Sequence, residues 1–227
     1  MDSDEATLLS SRSSRAWTAP ELGRFLRWAD VQDPVLAMGW RLLAATGMRR
    51  GEALALRWRD VDLDAGRLAV RRSVGVVKAK GAGERLVEGP TKTGRSRVVD
   101  LDAGTVAALR AYRTARGRLA LGLVRDSALV LSNVDGMHRH PERFSRRFAG
   151  QVVRTRKALG EDLLPVIRLH DLRHTDATVL LADGVPVKVV SERLGHASAT
   201  ITLTVYQHLH PGMGREAADR FAAPLEG

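Results

Sequence analysis

Leu169–His196 reads LHDLRHTDATVLLADGVPVKVVSERLGH. Apolar residues recur at helical intervals from Leu169 to Ala182, Gly184-Val185-Pro186 breaks the pattern, and Val187 to Leu194 resumes it until Gly195. Two short helices joined by a tight turn are expected. His170 and Arg173 stand three apart, and His170 and His174 four apart, so the first helix carries them on one face. Downstream, Ser198 or Thr200 offers a cap for a third short helix through Tyr206, and Pro211-Gly212 sets off a last helix, Arg215 to Ala223. His170, Arg173, His174, His196, Tyr206 and His208 crowd the C-terminal third.

Upstream of this block, Pro141 to Leu159 has the pattern of a basic amphipathic helix, Ala128 to Leu131 that of a short apolar strand, and Asp102 to Leu121 that of another helix. Arg67 to Val77 and Ser96 to Leu101 alternate β-branched and basic residues, which predicts antiparallel strands around a glycine-rich loop from Gly81 to Gly94. Near the start, Thr18-Ala19-Pro20-Glu21 has capping-box spacing, Asp33-Pro34 opens a second helix that Gly47 interrupts, and a third short helix is expected over Glu52 to Arg57. Trp17, Trp28, Trp40 and Trp58 sit among periodic apolar residues and read as core, as does Tyr112. The expected fold is mainly α with a small antiparallel β-sheet (α+β). Residues 1–16 read as a disordered leader or linker remnant, 17–210 as the folded domain, and 211–227 as a C-terminal helix or tail.

At 227 residues the chain is long enough to bury a real core. No apolar run approaches the roughly 20 residues of a membrane-spanning helix, and Met1 to Arg15 is too polar and acidic for a signal peptide, so a cytoplasmic protein is expected. The absence of cysteine excludes disulfide scaffolds, thiolate zinc sites, iron–sulfur clusters and cysteine nucleophiles. Lys and Arg total 36 against 26 Asp and Glu, a net charge of +10, and arginine supplies nearly all of it. Arg67 to Arg97 has a local charge of +7 and Arg139 to Lys157 one of +6, leaving the rest of the chain slightly acidic. Two such basic stretches are either solvated faces or the footprint of a polyanionic partner, most simply nucleic acid such as DNA, with Arg71, Arg72, Arg95, Arg97, Arg143, Arg146 and Arg147 as the candidate contacts.

The polar residues narrow the chemistry. His170-Asp171-Leu172-Arg173-His174 lacks the glutamate of the zinc motif His-Glu-x-x-His and has no obvious third ligand. Neither a phosphate loop nor a Gly-x-Ser-x-Gly elbow occurs. What remains is arginine, lysine, histidine and tyrosine, all suited to a phosphodiester. Two arginines can hold the nonbridging oxygens, a tyrosine can attack phosphorus, and a lysine or histidine can protonate the departing sugar oxygen. From the residues alone, Arg49 or Arg50 could be the clamp, and Lys78, Lys80 or Lys92 the acid.

Five motifs in order sharpen this. Thr46-Gly47-Met48-Arg49-Arg50-Gly51-Glu52 with Leu56-Arg57-Trp58, then Thr91-Lys92-Thr93, His170-Asp171-Leu172-Arg173-His174-Thr175, Leu194-Gly195-His196 and Tyr206 resemble the tyrosine recombinases, or phage-type integrases, over about Trp17 to His208. The ten-residue interval from His196 to Tyr206 also fits that family's motif. The resemblance implies a catalytic domain that cleaves and rejoins DNA site-specifically without metal or cofactor, acting on double-stranded DNA as a tetramer on two synapsed duplexes and monomeric alone. It implies that Arg49 and Arg173 clamp the scissile phosphate, His170 assists proton transfer, and His196 hydrogen-bonds a phosphate oxygen. Lys92 would be the general acid for the 5′-oxygen, and Tyr206 the nucleophile that forms a 3′-phosphotyrosyl link. Glu52 and Asp171 would orient the arginines and histidines.

Two departures follow from the same comparison. Asp176 stands where that family usually has an aromatic or small residue, so it is expected to find a base, with His174 the nearest candidate in sequence. The chain also begins where the catalytic domain of that family begins, so its N-terminal core-binding domain is expected to be absent. The alternative reading is therefore a DNA-binding fragment or accessory factor without turnover.

Overall fold

The computed structural model describes residues 16–79, 83–196, 198, 200, 202 and 203. Tyr206, His208, the leader before residue 16 and the tail 211–227 lie outside the described residues. Helix α1, Ala19–Gln32, starts in the expected capping box: the Glu21 carboxylate accepts from the Thr18 amide at 2.6 Å, and Thr18 Oγ1 accepts from the Glu21 amide at 3.4 Å. Asp33 ends α1 and begins α2, Pro34–Thr46, its carboxylate accepting from the Leu36 amide at 3.0 Å. Helix α2 buries residues around most of its circumference and packs against α1 and against the helices Ala103–Leu119 and Asp171–Ala182, so it forms the centre of the molecule.

Trp17, Phe25, Trp40, Phe144 and Phe148 make one aromatic cluster, with ring centroids 4.5–6.0 Å apart. Trp17, Trp40 and Trp58 are buried as expected, and each indole N–H donates to an internal oxygen: Pro165 O, Gln151 Oε1 and Leu123 O respectively. The Trp17 amide also donates to Thr175 Oγ1 at 3.0 Å, joining the residues just before α1 to a helix 158 residues away.

Helix α3 is Arg50–Leu54, two residues earlier and shorter than the expected Glu52 to Arg57. Strands β1 (Val61–Asp62), β2 (Arg67–Val70) and β5 (Arg97–Asp100) form an antiparallel sheet in the order β1-β2-β5. Strands β3 (Arg72–Ala79) and β4 (Gly83–Pro90) form a separate two-stranded ribbon, registered from Arg72 against Pro90 to Ala79 against Gly83. Much of the loop expected from Gly81 to Gly94 is therefore a strand. Leu86 and Glu88 turn toward the body while Arg85 and Val87 face solvent, an alternation that the flanking glycines obscured in the sequence. Ala128 to Leu131 is not a strand; Leu129 makes an isolated bridge with Arg57.

The remaining helices are α4 (Ala103–Leu119), α5 (Pro141–Leu159), α6 (Asp171–Ala182) and α7 (Val187–Leu194). The last three agree closely with the sequence pattern. Thr200, Thr202 and Leu203 are helical, as the expected third short helix requires. The fold is thus mainly helical with small antiparallel sheets. Among the described residues no helix is long and apolar enough to cross a membrane.

Candidate active site

The site is assembled where α2 ends, α3 begins, and α6 and α7 meet. Gly47 closes α2 in the left-handed region, at φ 59°, a conformation that a side chain would strain. There is no room for one either, because a Cβ would stand 2.4 Å from Leu194 and 2.7 Å from Asp176. This turn places Arg49 at the N-cap of α3. One turn on, the buried Glu52 accepts from the Arg49 amide at 2.9 Å and from Arg49 Nη1 at 3.1 Å.

Glu52 also receives both terminal nitrogens of Arg97, at 3.3 and 2.7 Å. Burial pushes the Glu52 carboxyl upward, but the hydrogen bonds and charges of Arg97 and Arg49 outweigh it and hold the group below its ordinary value. Arg97, expected among the DNA contacts, is therefore an internal strut with a side chain 11% exposed. Its Nε donates to Arg193 O at 2.8 Å, which ties β5 to the end of α7. Strand alternation was the available signal, since Arg97 shares a face with the buried Val99. Arg50 points elsewhere, to Ser145 Oγ at 2.7 Å and Glu142 at 3.0 Å, so the geometry separates it from Arg49.

Arg173, buried on the first turn of α6, donates from Nη1 to the carbonyl of Gly47. His170 stands at the N-cap of the same helix, its ring edge-on to that of His174 at 5.3 Å. Both histidines are held below their ordinary value. Desolvation is the main cause; the Arg173 charge comes next for His170, and His170 itself for His174. His196 follows Gly195, the left-handed residue that ends α7. Desolvation, then the charges of Arg173 and Arg49, pushes it down to about 4. At neutral pH the site holds uncharged imidazoles beside fixed guanidinium cations, an arrangement suited to an anion. The Nδ1 of His196 lies 2.7 Å from the hydroxyl of Thr202, a partner the sequence did not single out.

Thr93, Arg95, Ser96 and Arg97 line a cleft of about 410 Å³ with Glu192, Gly195 and His196. Lys92 lies exposed in the turn that contributes Thr93 to this cleft. Lys78 is bound to Glu84 at 3.0 Å out on the ribbon, and Lys80 is outside the described residues.

Several expectations change in the structure. Asp171 holds Arg168, accepting from its amide at 2.8 Å and from Nη2 at 3.1 Å, so its described ion pair is with neither Arg49 nor Arg173. The base paired with Asp176 is Arg193, at 3.5 Å, rather than His174. Helix α7 delivers Arg193 there, and the guanidinium also donates to Ala45 O and to Asp100 O. The other Asp176 oxygen is buried without a hydrogen bond among the described residues, and burial raises the group to about 6 against the Arg193 charge. Arg72 is engaged internally by Asp60 and Glu88, whereas Arg71, Arg95, Arg143, Arg146 and Arg147 are exposed. Among the described residues, no group of three or more His, Asp or Glu side chains is placed to hold a metal ion.

The chain belongs to the Phage integrase family, which its residues 20–212 match. It is 30% identical to a tyrosine recombinase XerC-like protein of Caldanaerobacter subterraneus, across 78% of this chain and 46% of that one. It is 27% identical to the ICEBs1 integrase of Bacillus subtilis, across 93% and 55%, and 38% identical to tyrosine recombinase XerD of Mycobacterium tuberculosis, across 71% and 44%. The chain spans about half the length of the curated relatives it matches. Among solved structures, the XerA recombinase superposes with a TM-score of 0.66 at 24% identity, covering 91% of this chain and 65% of that one. The Tn1549 transposon integrase in complex with a circular intermediate DNA gives 0.75 at 20%, covering 91% and 66%. These two likenesses establish the fold.

Proposed function

We propose that this chain is the strand-cleaving and rejoining domain of a site-specific DNA recombinase. The observation that carries this reading is the convergence of Arg49, His170, Arg173 and His196, from three separate stretches of sequence, on one positively charged site. Arg49 and Arg173 are braced by Glu52 and by the Gly47 carbonyl, so their guanidiniums are positioned before a phosphate arrives. In this reading the Tyr206 oxygen attacks phosphorus and yields its proton to His170, while the 5′-oxygen departs with a proton from Lys92. The 3′-phosphotyrosyl bond is then attacked by a 5′-hydroxyl, which returns the tyrosine and closes the strand. Two duplexes joined by a tetramer are the assembly that strand exchange needs, and DNA as substrate puts the work in the cytoplasm, at the nucleoid.

The test is a denaturing-gel assay for a covalent protein–DNA adduct, with nicked suicide duplexes from the flanking attachment region, in chelator. An adduct that survives chelator and disappears in Tyr206→Phe supports the reading. Salt-sensitive binding with no adduct would make the chain a DNA-binding module instead.

A further inference from the structure

We infer that Thr202 is a positioning residue that fixes the ring tautomer of His196, so that the imidazole presents an Nε2–H donor to the anion in the site. The inference rests on the strand-cleavage reading for its purpose but on geometry for its substance. Thr202 is completely buried, and its Oγ1 lies 2.7 Å from His196 Nδ1. Among the described residues this is the hydrogen bond that the hydroxyl makes. A buried hydroxyl with no acceptor for its hydrogen is costly, so the hydroxyl donates and Nδ1 accepts. A neutral ring whose Nδ1 is an acceptor carries its proton on Nε2.

The need for such a device follows from the surrounding charges. Arg173, Arg49 and Arg97 all act on His196, and together with its burial they keep the ring uncharged at neutral pH. A charged imidazolium would offer donors at both nitrogens; a neutral ring offers one, and its placement must be chosen. With the proton on Nδ1, the ring would aim a lone pair at a phosphate oxygen, which is repulsive. Thr202 excludes that form from the far side of the ring. Nothing in the sequence separates Thr202 from Thr200 or Thr204; only the fold brings it against the ring.

The full chain labelled with nitrogen-15 gives histidine ring spectra in which the protonated nitrogen is read directly, with His196 assigned by its loss in His196→Gln. The wild type should show Nε2 protonated and Nδ1 bare, and Thr202→Val should move the ring toward a mixture of tautomers. In the same variant adduct formation on a suicide duplex should slow about tenfold or more at unchanged DNA affinity, the order by which metal sites lose activity when a histidine's orienting partner is removed. Thr202→Ser should restore most of that loss. A wild-type ring with its proton on Nδ1, or a Thr202→Val protein with unaltered tautomer and rate, would overturn the inference. If the wild type forms no adduct, the cleavage reading fails while the ring spectrum still decides the role of Thr202.

Discussion

Glu52 holds two guanidiniums with one buried carboxylate, so its removal leaves two cations without their counter-ion. Glu52→Gln should cost about 3 kcal/mol of stability and also slow adduct formation, because Arg49 loses its brace; urea denaturation and the gel assay read the two separately. Its carboxyl is depressed in the folded state, so this stabilisation is present above the ordinary carboxylate range and fades as pH falls through the folded value. Asp176 has the opposite sign. A carboxyl raised to about 6 from 3.8 costs the folded state about 3 kcal/mol once both states are ionised, and the cost grows as pH rises from 4 to 6. Asp176→Asn should therefore flatten the pH dependence of thermal stability in that window and leave the protein more stable than wild type at pH 8. Equal slopes in the two proteins would show that Arg193 compensates the charge fully. Arg49, His170, Arg173 and His196 were legible because each lies inside a motif. Arg97 and Arg193 were not, because a sequence does not reveal which arginines fold inward to hold others.

At the scale of elements, α3 rests closely on the ribbon at Gly51, against Ser73 and Val74. A Cβ on Gly51 would stand 2.5 Å from the carbonyl oxygen of Val74, which is backbone and cannot swing away. Gly51→Ala should cost about 2 kcal/mol and displace Arg49 at the helix start, lowering adduct yield more than DNA binding. If binding and cleavage fall together, the helix carries the interface rather than the chemistry. Helix ends marked by Thr18, Asp33, Gly47 and Gly195 were legible because capping is local chemistry. Strand β4 was hidden because its pairing partner supplies the order, and the sequence around it, rich in glycine and charge, looks like a loop.

At the scale of the whole molecule, exposed arginines concentrate on α5, where Arg143, Arg146 and Arg147 face solvent. Each one that neutralises a phosphate should contribute about 0.9 to the slope of log affinity against log salt. A triple Arg→Ala variant should lower that slope by about 2–3, measured by fluorescence anisotropy on duplex DNA, with the folded state unaffected. An unchanged slope would remove α5 from the interface. The mainly helical class was readable from periodicity. Bringing Arg49 to Arg173, across 124 residues of chain, belongs to packing and could not be read locally.

Trp17 is fastened by its amide to Thr175 and by its indole to Pro165, on either side of the turn that presents His170. A pull on the backbone at Trp17 is thus felt one hydrogen bond later by the helix that carries Arg173. The segment that carries His170 and Arg173 is stitched on both sides to the residue that precedes the cap of α1.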